Sequence, residues 1–325
     1  MRIIPLSFLI VWISSLSLFS DEDLATVYRK EGMSPIEKLL DRRLSTTTYW
    51  KTELKSHDSI FGYFDNPTDL LICDKTTKKL KLYRANGHFR LLQKSSIVVG
   101  KLPGDKEREG DMRTPIGVYH IVEKIQNPDP IYGPLAFVTD YPNRFDRIRG
   151  KNGHGIWLHG FPKNCKDKNA TKGCIAVHND SLVALDKKMD WHKALLIISD
   201  KPLKQIDSNR LSRLLAFIFQ WRYDWKYNDF HRYISHYSRA MVFKTDKDYN
   251  YFVNYKRRVF KRNEKLKKQI RIEDLKVVPQ PNSTGKKLWY VSFHEIYKSP
   301  TYRYEGPKEL IIEEVHPDRF QIVVE

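Results

Sequence analysis

Two residue types that can cooperate in nucleophilic catalysis lie in one segment of the chain. His159 and Cys174 are fifteen residues apart, and a polar, lysine-rich loop joins them. A cysteine attacks a carbonyl as its thiolate, so it needs a nearby base, and flanking glycine lets backbone N–H groups approach an oxyanion. Taken alone, one histidine and one cysteine are explained more simply as an exposed imidazole and a buried thiol.

Two motifs around these residues resemble those of a known enzyme family. Residues 159–160 (HG) followed by residues 171–174 (TKGC) are similar to the H-G…[S/T]-x-G-C signature of the YkuD-type L,D-transpeptidase catalytic domain. Upstream, residues 110–119 (GDMRTPIGVY) resemble the family's G-D-x-x-T-P-x-G-x-[FY] motif. The motifs occur in the expected order, and the resemblance covers about residues 65–200.

The order of segments resembles one branch of this family more closely. A signal, a short helical segment, the cysteine domain and a domain opening with W-x₃-D-x₃-Y-x₃-Y at residues 225–237 are similar to the cell-shape LD-carboxypeptidases of helical and curved bacteria. In that branch the C-terminal domain is NTF2-like. The resemblance therefore implies a mainly β YkuD-like catalytic domain followed by an α+β NTF2-like domain.

The resemblance also implies a role for each residue of the signature. Cys174 is expected to attack a carbonyl, with His159 as the base and later the acid. The Gly160 carbonyl is expected to hold the imidazole, the role that asparagine has in papain-like enzymes. Backbone N–H groups around Gly173 and Cys174 are expected to form the oxyanion hole. No metal or organic cofactor is implied.

The implied substrate is the stem peptide of peptidoglycan, cleaved through a thioester. In the branch that the chain resembles most, water resolves the thioester, so a tetrapeptide stem loses its terminal D-Ala and becomes a tripeptide. In an L,D-transpeptidase, an amine from a second stem resolves it instead. A third interpretation is a non-catalytic protein that binds cell wall or glycan through the same fold.

Lys172 departs from the family pattern, which usually has histidine at this position. A cation there could lower the pKa of the thiol or meet a substrate carboxylate. It cannot shuttle a proton near neutral pH unless its own pKa falls far. The change argues against ordinary transpeptidation and leaves His159 as the expected base.

Other residues of these motifs are candidates for substrate binding. Trp157 alternates with His159 on a predicted strand, so it could form the floor of the site or belong to the core. Arg113 and Lys101 could bind a carboxylate, although loop solvation is the simpler interpretation. Thr171 is expected to cap the turn before the cysteine.

The remaining cysteines are assigned structural roles. Cys73 falls in a strand and is expected to be a buried apolar residue. Cys165 could pair with Cys174 in an oxidising compartment and switch the enzyme off, but its charged loop favours exposure to solvent. Three cysteines are too few for a disulfide scaffold, and no zinc-like pair is present.

Composition and periodicity divide the chain into four segments. Residues 1–20 combine Arg2 with an uncharged apolar run, which predicts a signal peptide and, with the resemblance, a periplasmic location; an uncleaved anchor is the alternative. Residues 21–60 predict amphipathic helices, and 61–200 predict short strands separated by turns. Residues 201–325 predict helices followed by an antiparallel sheet. The fold class is multidomain.

The charge of the chain calls for an anionic partner. Lys and Arg number 57 against 39 Asp and Glu, giving a formal charge of +18. Export favours cell wall or acidic glycan over nucleic acid, and the sequence contains no DNA- or RNA-binding motif. Residues 256–271 hold nine cations and one Glu, which fits a solvated helix face or docking of an acidic glycan to the C-terminal domain. The helices of residues 21–60 are a candidate homodimer contact.

Overall fold

The structure is a computed structural model that describes residues 21–162, 169–244, 246–317 and 319–325. The predicted signal at residues 1–20 and Cys165 lie outside the described residues. Within the described ranges, no helix has the length and apolar character needed to cross a membrane. The chain divides between Arg43 and Leu44 into two compact units, and every strand among the described residues lies in the second.

Helices and strands fall largely where periodicity predicts them. The helices are α1 Asp21–Glu31, α2 Met33–Leu44, α3 Thr47–Glu53, α4 Arg144–Ile148, α5 Asn179–Lys188, α6 Ser208–Lys226, α7 Phe230–Ser235 and α8 Tyr249–Arg262. The strands are β1 Tyr63–Phe64, β2 Thr68–Asp74, β3 Lys79–Asn86, β4 His88–Val98, β5 Gly117–Gln126, β6 Leu135–Thr139, β7 Trp157–His159, β8 Ile175–Val177, β9 Leu195–Ser199, β10 Tyr237–Val242, β11 Gln269–Gln280, β12 Leu288–Ser299, β13 Tyr302–His316 and β14 Arg319–Val324. The prediction of a mainly β domain followed by an α+β domain is confirmed.

Eight strands of the first domain close into a barrel in the order β2-β3-β4-β8-β7-β6-β5-β9. Apolar residues that alternate along the strands fill its interior, as expected for a closed sheet with one face inward. This core includes Leu71, Leu82, Phe137, Leu158, Ile175 and Leu196. Two neighbouring pairs, β2 with β9 and β7 with β8, are parallel.

The second domain is a six-stranded sheet in the order β1-β11-β12-β13-β14-β10, covered by helices. Three aromatic residues of α6 belong to the core of this domain: Phe219, Trp221 and Trp225. Trp221 is fully buried. Chain from before the barrel completes this domain, because β1 pairs with β11 and both Trp50 and Leu54 belong to its core.

Two details of the second domain differ from the prediction. The pattern of residues 252–269 predicts one helix over that range, but α8 begins after an Asp248 cap and ends at Arg262. Beyond it, Lys268 is buried and donates to the Trp225 carbonyl at 2.7 Å, immediately before the chain enters β11. The sheet is also not wholly antiparallel, since β10 pairs in parallel with β14.

The barrel and the C-terminal sheet share a buried junction within the second unit. Val118 and Ile197 of the barrel belong to one apolar cluster with Val278 of the sheet. At its edge, the His120 ring lies 2.7 Å from the Tyr290 hydroxyl. Each domain thus has its own core, and a third apolar cluster joins the two domains.

Candidate active site

The register of two parallel strands brings the predicted nucleophile and base together. In the β7–β8 pair, Leu158 lies opposite Ile175 and His159 lies opposite Ala176. Cys174 immediately precedes β8, so it lies beside the start of β7, whereas His159 ends β7. Because neighbouring parallel strands lie about 4.8 Å apart, this register places both residues in one region of the barrel.

The Cys174 sulfur is half-buried against two backbone groups that lead into β7. Its S–H donates to the Gly155 carbonyl at 3.4 Å, and the Trp157 N–H donates toward the sulfur. Burial raises the pKa of Cys174, the Trp157 N–H and the Lys106 cation lower it, and burial prevails. The resting group is a neutral thiol, so a thiolate forms when a base takes the proton.

His159 is buried and is held by the backbone that follows it. Its Nδ1 lies 2.6 Å from the Gly160 carbonyl, the contact that the resemblance implies. A carbonyl can only accept, so we assign the proton to Nδ1 and the basic lone pair to Nε2. The Tyr132 ring packs edge-on against the imidazole, with centroids 5.0 Å apart. The geometry thus defines one ring orientation and one tautomer.

A tight turn precedes the nucleophile. The Thr171 hydroxyl donates to the Cys174 carbonyl at 2.6 Å and accepts from the Gly173 N–H at 3.1 Å. Gly173 has φ 141°, and a Cβ there would lie 2.8 Å from the Arg113 carbonyl, so only glycine fits. Thr171 caps the turn as predicted. The Gly173 N–H is committed to Thr171 and is not a free oxyanion donor, contrary to the expectation.

A buried ion pair organises the loop of the upstream motif. Asp111 accepts from the Lys106 ammonium at 2.7 Å and from the backbone N–H groups of Glu107, Arg108 and Arg113 at 2.8, 3.2 and 3.1 Å. Burial would raise the pKa of Asp111, but the ammonium and these N–H groups lower it to about 2. The loop therefore holds a cation on the nucleophile's side of the barrel.

Three cations that are candidates for meeting a substrate carboxylate lie around the turn before Cys174. The Lys101 N–H donates to the Thr171 carbonyl at 3.1 Å, and the side chains of Lys101 and Lys172 are exposed. Arg113 is half-buried, and its Nε is buried without a hydrogen-bond partner among the described residues. The structure thus brings the backbone of these candidates to the turn that precedes the nucleophile, and of the three, Arg113 has a buried donor that is unsatisfied.

Trp157 and His154 have different surroundings. Trp157 is half-buried, and its ring lies 4.8 Å from that of Tyr132, so Tyr132 contacts both Trp157 and His159. His154 is 73% exposed and lies 3.2 Å from Glu109, as expected for a loop histidine. Trp157 therefore borders the site through Tyr132 and is neither a free surface residue nor fully in the core.

Besides Cys174, the chain contains Cys73 and Cys165. Cys73 is fully buried and free, as predicted, and burial raises its pKa to about 12. The possible Cys165–Cys174 disulfide involves a residue outside the described ones. Within residues that the structure describes, no group of three or more His, Cys, Asp or Glu side chains is arranged to hold a metal ion.

Three residues around the site were not identified from the sequence. Asp111 lies inside the quoted motif, so the motif itself could have indicated it. Lys106 carries the recognisable signal of a cation five residues before that aspartate, at the other end of one loop. Tyr132 carries no local signal, because its contacts with Trp157 and His159 arise only when the segment before β6 packs beside β7.

Comparisons with known proteins agree with this geometry. Residues 68–190 match the L,D-transpeptidase catalytic domain (YkuD), and residues 213–325 match the Cds6 C-terminal NTF2-like domain. A solved structure of a mutant of Pgp2, the helical cell shape determining protein of Campylobacter jejuni, is 30% identical with a TM-score of 0.81. The likeness covers 87% of this chain and 98% of that one. The structure of unmutated Pgp2 gives 30%, 0.79, 86% and 98% for the same quantities.

This chain belongs to the YkuD family of L,D-transpeptidase-fold proteins. YafK of Escherichia coli, an L,D-transpeptidase by name, is 32% identical over 111 residues, which are 33% of this chain. The match spans 42% of YafK's length, less than half of that relative. Bd1075 of Bdellovibrio bacteriovorus, at 23% identity and a TM-score of 0.66, shares the fold over 82% of this chain and 96% of its own.

The NTF2-like domain of this YkuD-family chain contains a cavity of about 540 Å³. Its mouth has exposed aromatic rings, and its depth has charged side chains. Lining residues include Trp225, Tyr255, Arg262, Tyr297, Tyr302 and Tyr304, together with two lysines and two glutamates. An aromatic mouth with a cation at its edge is suited to a ring-shaped, anionic ligand.

The charges at the depth of this cavity neutralise one another. Lys308 lies 2.7 Å from Glu325 and 3.3 Å from Glu295, and Lys256 lies 3.2 Å from Glu325. Burial would raise the pKa of Glu325, but the two lysines lower it to about 2. The Tyr237 hydroxyl also donates to Glu325. Of the lining cations, Arg262 alone has an exposed side chain that is outside this network.

Proposed function

We propose that the protein is an exported peptidoglycan LD-carboxypeptidase that removes the terminal D-Ala from tetrapeptide stems. The observation that carries the proposal is the register of β7 and β8, which brings Cys174 and a buried, backbone-oriented His159 into one region of the barrel. The similarity to Pgp2, a cell shape determining protein, supports a cell-wall substrate. The predicted signal at residues 1–20 supports a periplasmic location.

The residues divide the reaction into two steps. In the first, Nε2 of His159 takes the thiol proton, Cys174 forms a C–S bond to the stem carbonyl, and the C–N bond to D-Ala breaks as His159 returns the proton to the amine. In the second, His159 takes a proton from water, whose oxygen attacks the thioester, and the C–S bond breaks as His159 returns that proton to the sulfur and regenerates the thiol. The Cys174 N–H is the expected oxyanion donor, since the Gly173 N–H is already bound.

The charges around the turn that carries the nucleophile suit the terminal carboxylate of a tetrapeptide stem. The leaving D-Ala of a tetrapeptide bears a free carboxylate, and Lys101, Lys172 and Arg113 all lie around the turn that carries Cys174. Arg113 can satisfy its buried Nε on such a carboxylate. These cations therefore select the end of a stem in the acylation step, which hydrolysis and cross-linking share. Lys172, where the family usually has histidine, favours hydrolysis in the second step.

Mass spectrometry of defined muropeptides incubated with the purified protein tests the proposal. We expect tetrapeptide to become tripeptide with release of free D-Ala, and no conversion by the Cys174→Ala variant. New cross-links or exchange of D-amino acids would favour the transpeptidase instead. Unchanged muropeptides, with wall binding equal in wild type and Cys174→Ala, would contradict an enzyme and favour the non-catalytic interpretation.

We also propose that the NTF2-like cavity binds an acidic saccharide of the wall. Its aromatic mouth suits a sugar ring, and Arg262 provides the cation that the neutralised lysines do not. The full-length Cys174→Ala variant, which cannot turn over substrate, is titrated calorimetrically with an acidic wall saccharide. We expect binding, and we expect the additional Arg262→Ala substitution to weaken it. Arg258→Ala, on the same helix but outside the cavity lining, is the matched control. Equal affinities of the Arg262 and Arg258 variants would overturn this assignment.

Self-association through the helices of residues 21–60 stays a prediction.

A further inference from the structure

Asn179 contacts the backbone just beyond the catalytic histidine. It is the first residue of α5 and follows β8, the strand that Cys174 precedes. Its Oδ1 accepts from the Phe161 N–H at 2.8 Å, and its Nδ2 donates to the Phe161 carbonyl at 2.9 Å. A single amide thus binds both backbone groups of one residue, which leaves that residue little rotational freedom.

The space around this contact has no room for another arrangement. A Cβ on Gly160 would lie 2.2 Å from the Asn179 Oδ1, and a Cβ on Gly133 would lie 2.7 Å from the same atom. The Gly133 Cβ would also lie 2.9 Å from the Gly160 Cα. Three separate chain segments therefore meet at the Asn179 amide, and the two glycines permit their close approach.

The peptide group that Asn179 binds is the one that orients His159. The Phe161 N–H and the Gly160 carbonyl belong to the same planar peptide unit. Asn179 accepts from the N–H end of this unit, and the His159 Nδ1 lies 2.6 Å from the carbonyl at its other end. The preceding peptide is fixed too, since the Gly160 N–H donates to the Tyr132 carbonyl at 2.8 Å. Rotation of one peptide plane would therefore move the acceptor away from the imidazole.

We propose that Asn179 is a positioning residue that sets the tautomer and the orientation of His159 through the Gly160–Phe161 peptide. The inference rests on the proposed role of His159 as the base for Cys174. Through this one side chain, the segment that follows the nucleophile's strand fixes the peptide that orients the base. Hydrogen bonds in series also polarise one another, so the same contact strengthens the carbonyl as an acceptor.

Two variants separate the acceptor atom from the donor atom. Asn179→Ala removes both contacts with Phe161. Asn179→Asp keeps an oxygen that accepts from the Phe161 N–H but loses the donation to the Phe161 carbonyl. Because the proposal assigns orientation to the accepted hydrogen bond, Asn179→Asp should keep the His159 tautomer even where it lowers stability. Asn143→Ala is the matched control: Asn143 caps α4 and donates to the Val118 carbonyl in the same barrel, and it has no contact with His159.

The decisive readout is the tautomer of His159, measured by ¹⁵N NMR of histidine-labelled protein, with a His159→Gln spectrum for assignment. We expect one Nδ1–H tautomer in wild type, Asn179→Asp and Asn143→Ala, and mixed tautomers in Asn179→Ala. The kcat for tetrapeptide cleavage should fall about tenfold or more in Asn179→Ala, part of the ~10²-fold that a general base commonly contributes, with KM little changed. The pH profile of Cys174 alkylation should move toward that of His159→Gln.

The outcomes are separable. An unchanged tautomer and alkylation profile in Asn179→Ala would overturn the inference and leave Asn179 as a structural contact only. Mixed tautomers in Asn179→Asp would also overturn it, and this variant decides the matter if Asn179→Ala does not fold. If wild type cleaves no muropeptide while Asn179→Ala still shows mixed tautomers, the proposed function fails and the positioning role stands.

Discussion

The two polar regions of the molecule are built from different parts of the chain. Around Cys174 and His159, most contacts that fix the reacting side chains come from backbone groups and from one turn hydroxyl. In the C-terminal cavity, the fixed positions come from charged side chains, with Lys256 and Lys308 bound to buried glutamates. The first arrangement orients the reacting side chains mainly through the backbone. In the second, the buried charges are neutralised by one another.

This difference predicts how each region responds to mutation. A side chain positioned by backbone can be truncated without leaving an unpaired charge, so its loss removes chemistry more than stability. Removing one member of a buried ion network leaves the other uncompensated, which costs much more than the pair contributes when intact. Activity and stability should therefore be separable by region.

The largest expected effect is on activity and tests the first half of the comparison. Cys174→Ala should lower the rate of tetrapeptide cleavage by at least about 10⁴-fold, because no other group can form the thioester. Its free energy of unfolding should stay within ~1 kcal/mol of wild type, since the half-buried sulfur donates only one weak hydrogen bond. Urea denaturation and the muropeptide assay measure the two quantities.

Cys73→Ala is the matched control for this prediction. Cys73 is fully buried in β2, so its truncation should reduce stability and leave kcat unchanged. A Cys174→Ala protein that is as destabilised as Cys73→Ala would break the comparison.

The second prediction concerns the buried charges of the cavity. Glu325→Ala should lower the free energy of unfolding by about 3–5 kcal/mol, because Lys256 and Lys308 lose their shared carboxylate. Cleavage by the folded fraction should change little. Glu305→Ala removes a partner of Arg303 and His294 on the exposed surface and should leave stability unchanged. Equal losses in the two variants would show that the cavity's charges are not a coupled network.

The third prediction concerns the pH dependence of Asp140, which lies near the junction between the barrel and the C-terminal sheet. Burial raises the pKa of Asp140 to about 6, and the nearby His120 opposes this shift without cancelling it. The folded state therefore binds the proton more tightly than the unfolded state, and stability falls as pH rises from the unfolded pKa through about 6. Asp140→Asn keeps an acceptor for the His120 N–H and removes this cost.

The variant should thus be more stable than wild type by about 1–3 kcal/mol near pH 7.5 and little or no more stable near pH 3.5, where the aspartate is largely protonated in both states. Chemical denaturation at the two pH values measures the difference. The same stabilisation at both values would mean that the effect does not arise from titration of Asp140.

Much of this architecture follows from local sequence, and the parts that do not have physical reasons. The segments around Cys174 and Asp111 carry chemistry in fixed spacings, so both motifs were recognisable without a structure. The turn before the nucleophile was also predictable, since Thr171 and Gly173 are typical turn residues. The broad succession of helices and strands followed from periodicity.

Contacts between distant segments could not be predicted in this way. The role of Asn179 depends on the register of β7 with β8, and that of Tyr132 depends on the return of the chain into β6. The two-residue strand β1 has too short a pattern to show that it joins the C-terminal sheet. Thr171 was predicted correctly, yet its capture of the Gly173 N–H, which removes an expected oxyanion donor, appears only in three dimensions.

The smallest expected effect concerns Lys106, a side-chain charge that acts on the nucleophile. Lys106 lowers the pKa of Cys174, although burial keeps that pKa above its ordinary value. Lys106→Met should therefore slow alkylation of Cys174 by iodoacetamide at pH 8 by about two- to fivefold, since less thiolate is present at a given pH. Lys101→Met, an exposed cation on the same side of the barrel, is the matched control and should change the rate less. Because Lys106 is paired with Asp111, its effect on the sulfur is limited, which is why backbone groups dominate this site. A tenfold loss in Lys106→Met with an unchanged unfolding midpoint would reverse that ranking and make this site, like the cavity, one set by side-chain charge.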